Sequence, residues 1–411
     1  MFKKRLSLIL VLLLALFAFA CKKGNNGNQE GEGGGKEPPV VETYKSYSVK
    51  VVDIDGEVLA DKTFSTKDQA SVLDAITNEM NAVTYKTDYG TNVSSIANSI
   101  VDANWYLALY ENGEYASTGV DGLVIDDGDK FDFVAECWNT VASGYGTMDE
   151  TDVLVDKIVY SYMKKTFSKV VANSKDMKTV DYWSAMTLTM MKNAGYDAKL
   201  FSADKFDASL KTALQAETFD AYDGATWGKY FYTARALDLD LAAFSAAYTT
   251  YMTNLAADTA YNEYATPFYL SPAYSLKITS DAVRALSNTE YRAGTEWGLD
   301  GWNWQMTNLS LFKTFTLEEL NNISAADQGN GCSTALMLLP LAANNISART
   351  VKNDAGKDLL QLVLDYYDAN LGLVKWSKED TDINYSTNQI YASLMAYKAQ
   401  RDLGKAVNIF A

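Results

Sequence analysis

The chain has no histidine in 411 residues. That absence removes Ser-His-Asp and Cys-His catalysis, any zinc site built on imidazole, and any protein imidazole for a bound cobalt or haem iron. Cysteine is scarce as well: Cys21, Cys137 and Cys332 make up the set. Cys137 and Cys332 fall in different predicted domains and are expected as two buried free thiols. Positive charge is the third shortage. Lys and Arg number 36 against 52 Asp and Glu, a formal net charge of −16. Nucleic acid, which asks for a basic surface, is therefore not an expected partner, nor does the folded body attract anionic lipid. The apolar run Leu6–Ala20 has 15 residues, short of the roughly 20 that a spanning helix needs.

What is present begins with that run. Lys3, Lys4 and Arg5 precede it and Cys21 follows, so residues 1–20 read as a secretion signal. With Ala20 directly before Cys21, the signal resembles that of bacterial lipoproteins, in which the cysteine receives lipid and becomes the new N-terminus; Ala18 stands where that motif usually has Leu. "KKGNNGNQEGEGGGKEPP" at 22–39 has too little apolar content to fold, so 21–43 is a flexible tether. The expectation is a lipid anchor on Cys21, a leash, and a body at the extracellular face of the membrane.

Residues 44–138 read as short strands around one helix. "YKSYSVKVVDID" alternates and turns at Asp55-Gly56, and "EVLADKTFST" is a second strand. "ASVLDAITNEM" places Val72, Ala75, Ile76 and Met80 on one helical face. "NWYLALYENGEYASTGVDG" gives a strand and an Asn-Gly turn. Both of its faces are apolar or aromatic: one is expected to pack on the 70–80 helix, the other to look across a cleft. "IDDGDKFDFVAECW" closes the region, with Phe131, Phe133 and Ala135 on one face.

A polar, Gly-containing linker, 139–151, separates this from 152–411, where the pattern turns helical. Helices are predicted to start near Asp152, Thr179, Ala203, Thr226, Leu241, Ser271, Gly301, Glu318, Gly331, Asp354 and Tyr385. "GNGCSTALMLLPLAA" and "NYSTNQIYASLMAY" look like copies of one another, with "DYWSAMTLTMMKNAG" a weaker third. Repeated helical hairpins stack into solenoids or close into toroids. The fold class expected is a multidomain α+β chain: a small β-rich domain with one helix, then an all-α α/α toroid of helical hairpins.

Taken in order, "SVKVVDIDGEVLADKTFSTKDQASVLDAI", "YGTNVSSIAN", "WYLALYENGEYASTGVDG" and "DDGDKFDFV" resemble the transcobalamin-like C-terminal domain of vitamin B12 carriers and bacterial surface proteins. "NGCSTALMLLPLAA" and "NYSTNQIYASLMAY" resemble the α/α toroid of prenyltransferases, terpene cyclases and the helical domain of transcobalamin. That family holds cobalamin between the two domains; here they come in the reverse order. The resemblance implies a solute-binding surface protein that captures cobalamin or a related corrinoid as ligand, with no covalent cofactor, no catalytic role, and a membrane vitamin transporter as partner.

A corrinoid is large, flat and fringed with amides, so its site needs aromatic walls and neutral polar groups. Tyr89, Gly90, Asn92, Val93, Ser94, Ser95, Trp105 and Tyr106 offer these from the β-rich side. At predicted helix starts, Tyr182, Trp183, Trp227, Trp302, Trp304, Gln305, Asp327, Asn330, Tyr385, Asn388 and Gln389 offer the same mixture.

Two other readings use other residues. "GTEWGLDGWNW" suits sugar stacking, which makes a surface adhesion or glycan-binding module the alternative. Glu296 and Asp300 within it are an acid–base pair for an α/α-barrel enzyme acting on polysaccharide, the weakest reading, since carboxylates are abundant. "LDLDL" and "DTDI" do not match the DxDD motif of protonating cyclases. "DIDGE" at 53–57 and "DDGDK" at 126–130 lack EF-hand spacing and read as Asp-Gly turns. The anchor is directly testable: Cys21→Ala should release the protein to the medium or leave it unprocessed, whereas an unchanged detergent-dependent membrane fraction would contradict lipidation.

Overall fold

Strand alternation and the Asp-Gly turn are realised as soon as the described chain begins. The computed structural model describes residues 43–99, 101–195, 206, 208–217, 230, 233–234, 236–240, 321–322, 324–327, 329–380 and 387–407. Tyr47, Val49 and Val51 are buried on one face of β1 (Ser46–Val52). Gly56, at φ +84°, turns the chain into the antiparallel β2 (Val58–Ser65). Helix α1 (Val72–Glu79) starts at Ser71, whose side chain accepts from the Asp74 N–H. It buries Val72, Ala75 and Ile76, with Met80 at its C-cap also buried, the face expected from their spacing. β3 (Val83–Thr87) and β4 (Gly90–Ser95) form a separate hairpin. β5 (Trp105–Glu111), β6 (Glu114–Tyr115) and β7 (Asp129–Cys137) complete a five-stranded sheet of order β2-β1-β7-β5-β6. Only β1 and β7 pair in parallel there.

The two faces of this sheet differ. Tyr47, Val49, Val51, Phe131 and Phe133 pack with α1, and Leu107 and Leu109 join them. Trp105 lies on that same face by period two, but at the first position of β5 it enters a second core made mostly by helices, together with Ile54 and Ala135. This corrects the expectation that opposite faces of β5 meet α1 and the helices. A seven-residue strand runs about 24 Å, while an eight-residue helix runs about 12 Å, so one face serves both. The outer face carries Tyr106 and Tyr110, level with Glu136 and Asp132 of β7, and Tyr115 level with Tyr110.

The later part is helical: α2 (Glu150–Tyr162), a π-turn at Met163–Phe167, α3 (Ser168–Asn173), α4 (Tyr182–Ala194), α5 (Ala208–Gln215), α6 (Gly331–Leu336), α7 (Leu338–Ala343), α8 (Leu359–Leu364) and α9 (Thr387–Leu403). Ile390, Tyr391, Ala392, Leu394, Met395, Ala396, Tyr397 and Ala399 of α9 are all buried. Buried on every side, α9 lies in the centre, and α2, α4, α6 and α7 pack around it. A short hairpin, β8 (Tyr367–Asp368) and β9 (Leu373–Val374), interrupts the helices, which the all-α expectation for this part did not include. Its strands are two residues each, too short to show alternation. No described helix is long and apolar enough to cross a membrane. The signal run, Cys21 and the helix starts expected near Ala203, Thr226, Leu241, Ser271, Gly301, Glu318 and Tyr385 lie outside the described residues.

Charge crosses the junction between the sheet and the helices. Lys398 of α9 is 1% exposed, and its Nζ lies 2.7 Å from Asp102, 2.9 Å from Asp402 and 3.1 Å from Asp156. Arg401 reaches Asp156 and Asp402, each at 2.8 Å. Asp156, fully buried on α2, also accepts from the Trp105 indole N–H at 2.8 Å. Asn104 donates to Asp402 at 3.0 Å, Tyr160 to Asp102 at 2.5 Å and Tyr397 to Asp152 at 2.6 Å. At a second point, Lys164 of the π-turn binds Asp53 at 3.0 Å and Asp55 at 2.7 Å. "DIDGE" is thus a turn, as expected, and also an anchor for the helices.

Breaking a buried ion pair from one side costs about 3–5 kcal/mol, because the other charge is left unpaired. Lys398→Met should therefore lower unfolding free energy by about that much, read from urea denaturation at pH 7. The pH dependence follows from Asp402. Burial alone would raise its pKa; the attraction of Lys398 and Arg401 outweighs burial and holds the carboxyl below the ordinary value. Its contribution is complete above the unfolded pKa of about 3.9 and is lost as pH falls through the lower, folded value. Lys398→Met should flatten that acid limb; an unchanged acid profile would contradict the assignment.

Candidate functional site

The described residues expected to line a site fall mostly into two places. The first is the β3–β4 hairpin. Tyr89 is exposed at its tip, and Gly90 takes φ +117°. The Asp121 carboxylate, in the short turn Val120–Gly122, accepts from the Thr91 N–H at 2.6 Å and the Thr91 hydroxyl at 2.8 Å. The backbone hydrogen bond and then the hydroxyl bond hold the Asp121 carboxyl below its usual range. Gly119 lies so close that a Cβ there would come within 2.6 Å of the Thr91 nitrogen. "YGT" and "TGVDG" are thus two halves of one clamp. Asn92 donates to the Thr87 hydroxyl at 3.4 Å, and Ser94 to the Val83 carbonyl at 3.0 Å. Val93 is buried in the α1 core, and Ser95 pairs with Val83.

The second place gathers the starts of α4, α6 and α9. Asp181 caps α4, accepting from the Ser184 N–H at 2.7 Å. Its carboxyl is enclosed although the residue as a whole is only partly buried. Burial raises its pKa, against the opposing hydrogen bonds of Ser184 and Asn388. The Tyr162 hydroxyl donates to the Asn388 side-chain oxygen. The Tyr162 ring stacks on Tyr391 with centroids 4.1 Å apart, and Phe167 lies 5.4 Å from Tyr391. Tyr162 and Phe167 flank the π-turn, a distortion that recurs at functional sites. Trp183 is buried beside Asp181. Next along α9, Gln389 accepts from the Cys332 thiol at 2.7 Å. Asn330 caps α6, accepting from the Ser333 N–H at 2.7 Å. Gly331 follows because a Cβ there would collide with the Lys375 carbonyl oxygen. Asp327 accepts from Tyr366 at 2.9 Å and from Thr334 at 3.0 Å.

Trp105 and Tyr106 belong to neither group. The Trp105 indole is committed to Asp156, and the Tyr106 hydroxyl donates to Glu136 at 3.0 Å on the outer sheet face. The bonds named here join Asn388 and Gln389 to residues of α2, α4 and α6; none of them joins the hairpin to the helix starts. Trp227, Trp302, Trp304, Gln305 and Tyr385 lie outside the described residues, as do Glu296 and Asp300. Asp181, Tyr162 and Tyr391 were not among the residues expected. "DYWS" is an Asp-x-x-Ser helix start and signals Asp181, whereas nothing local signals the two tyrosines. Cys137 and Cys332 are both free, and burial pushes the Cys137 thiol up to about 11. Among the described residues, no group of three or more Asp, Glu or Cys side chains is arranged to hold a metal ion.

The chain matches no family model and no curated protein sequence. A solved structure from Ruminococcus gnavus ATCC 29149, described as a candidate metal binding protein, aligns over 23% of this chain and 97% of that chain, at 18% identity and a TM-score of 0.20. A likeness of that size does not define a fold.

Asp181 offers a test of the enclosed carboxyl. Its raised pKa means that the native state binds the proton more tightly than the unfolded chain. Wild-type stability therefore falls as pH rises from about 3.9 through the folded value. Asn caps a helix as well as Asp and carries no charge. Asp181→Asn should raise the urea midpoint at pH 7 and lose that advantage below about pH 4. A lower midpoint at pH 7 would mean that the charged carboxylate is what the fold uses.

Proposed function

We propose that the chain is a surface solute-binding protein, anchored by lipid at Cys21, that captures a corrinoid and performs no chemistry on it. In this reading, 44–138 is a transcobalamin-like domain, 152–411 closes as an α/α toroid, and a membrane transporter receives the ligand. The observation that supports it best is the helix-start group. Asn388 and Gln389 are neutral amides; Tyr162, Tyr391 and Trp183 are aromatic; and the Asp181 carboxyl is biased toward its neutral form. Such groups meet an amide fringe without the desolvation cost of full charge. The chain has no histidine and offers no imidazole to cobalt; in this reading the ligand keeps its own axial base or water and is gripped by its edges.

The test is to mix the purified protein with a panel of corrinoids and follow co-elution and the visible spectrum. A bound corrinoid should keep a spectrum close to its free base-on form, and Gln389→Leu should weaken binding about tenfold, the equivalent of one good hydrogen bond. No co-elution with any member of the panel, or a spectrum with a protein nitrogen on cobalt, would overturn the proposal.

A further inference from the structure

The outer face of the sheet carries a cluster that the corrinoid reading does not use. Glu136 of β7 accepts from Tyr106 through one carboxylate oxygen and from Tyr110 through the other. Tyr115 of β6 stands against Tyr110 with ring centroids 5.6 Å apart and planes at 78°, so two ring faces make a corner. Tyr115 is 61% exposed, while Tyr106, Tyr110 and Glu136 are half-buried. Ala108, between Tyr106 and Tyr110 on the same face, is fully buried. Lys50, the cation level with Tyr110 on this face, is bound to Asp132 at 3.0 Å. The hydrogen bonds of Glu136 thus come from phenols, and its negative charge has no ion-pair partner among the described residues.

We infer that the corner formed by Tyr106, Tyr110, Tyr115 and Glu136 is a binding site for a small quaternary ammonium compound. Three observations select that chemistry. The chain carries a formal net charge of −16 and the cluster itself is anionic, so an anion is repelled and a cation attracted. Tyrosine ring faces are electron-rich and attract a cation held within about 6 Å of the centroid. Both carboxylate oxygens already accept a phenol hydrogen. A primary ammonium, which brings three donors and strong hydration, would compete for those oxygens. A quaternary ammonium brings charge and no donor, so it can sit on the rings and leave the phenol–carboxylate bonds intact. Those bonds also hold the rings in place before the ligand arrives, which lowers the entropy lost on binding.

Choline chloride is the probe, titrated into the whole chain and followed by saturation transfer to its methyl protons, with sodium chloride matching ionic strength throughout. The neutral isostere 3,3-dimethyl-1-butanol has the same shape without the charge. Choline should bind at least about fivefold more tightly than the isostere, and Glu136→Gln should remove most of that difference. Tyr115→Ala, at an exposed edge position, should weaken choline about threefold while leaving the urea midpoint unchanged. If choline binds no more tightly than the isostere, or if its binding is unchanged in both variants, the inference is wrong. Should Glu136→Gln lower stability, Tyr115→Ala decides the matter alone.

Discussion

One buried ammonium holds the two kinds of structure together. Lys398 sits on the central helix with its Nζ among Asp102, Asp156 and Asp402. Asp102 comes from the loop ahead of β5, Asp156 from α2, and Asp402 from α9 itself. Each carboxylate has further donors: Tyr160, Trp105, Asn104 and Arg401. Such an arrangement adds little net stability over an apolar contact, since the desolvation of so many charged and polar groups offsets most of the attraction. What it adds is specificity. An apolar joint would tolerate sliding, whereas here any displacement of α9 against the sheet strands a charge in a dry environment.

That constraint bears on how a ligand could be taken up. A jaw that opens between the sheet and the helices would have to pull Asp102 and Trp105 away from Lys398 and Asp156, and expose the apolar cluster that Trp105, Ile54 and Ala135 share with the helices. The cost would be several kcal/mol. In the proposed reading, contact at the helix starts, where Asn388 and Gln389 already have partners, leaves that joint closed.

Much of the β-rich part could be read from local pattern. Alternation gave Tyr47, Val49 and Val51 an inner face, and helical spacing gave α1 its Val72, Ala75, Ile76 and Met80. Asp-Gly and Asn-Gly marked turns, with Gly56, Gly113 and Gly128 all at positive φ. The failures were non-local. Nothing near Trp105 says that its indole meets Asp156, 51 residues away. A lysine in "LMAYKAQRD" reads as a polar side of a helix, yet Lys398 is buried because two of its acidic partners, Asp102 and Asp156, come from elsewhere. The candidate residues divide the same way. Asn330 was legible as a helix start and is a cap. Thr91 and Gly119 stand in separate motifs, "YGTNVSSIAN" and "WYLALYENGEYASTGVDG", and are two sides of one contact, which only the Asp121 carboxylate reveals.

The parallel pairing of β1 with β7 has a consequence for the order of assembly. Val49 lies beside Phe131 and Val51 beside Phe133, although about 80 residues separate them. Long-range strand pairs of this kind are slow to form, because the intervening chain must be gathered before any bond rewards it. Until β7 arrives, the early β1–β2 hairpin has its β1 edge unpaired. For a chain that leaves its ribosome from the β1 end, this is a period of delayed collapse, with the sheet closing only after Cys137 has emerged.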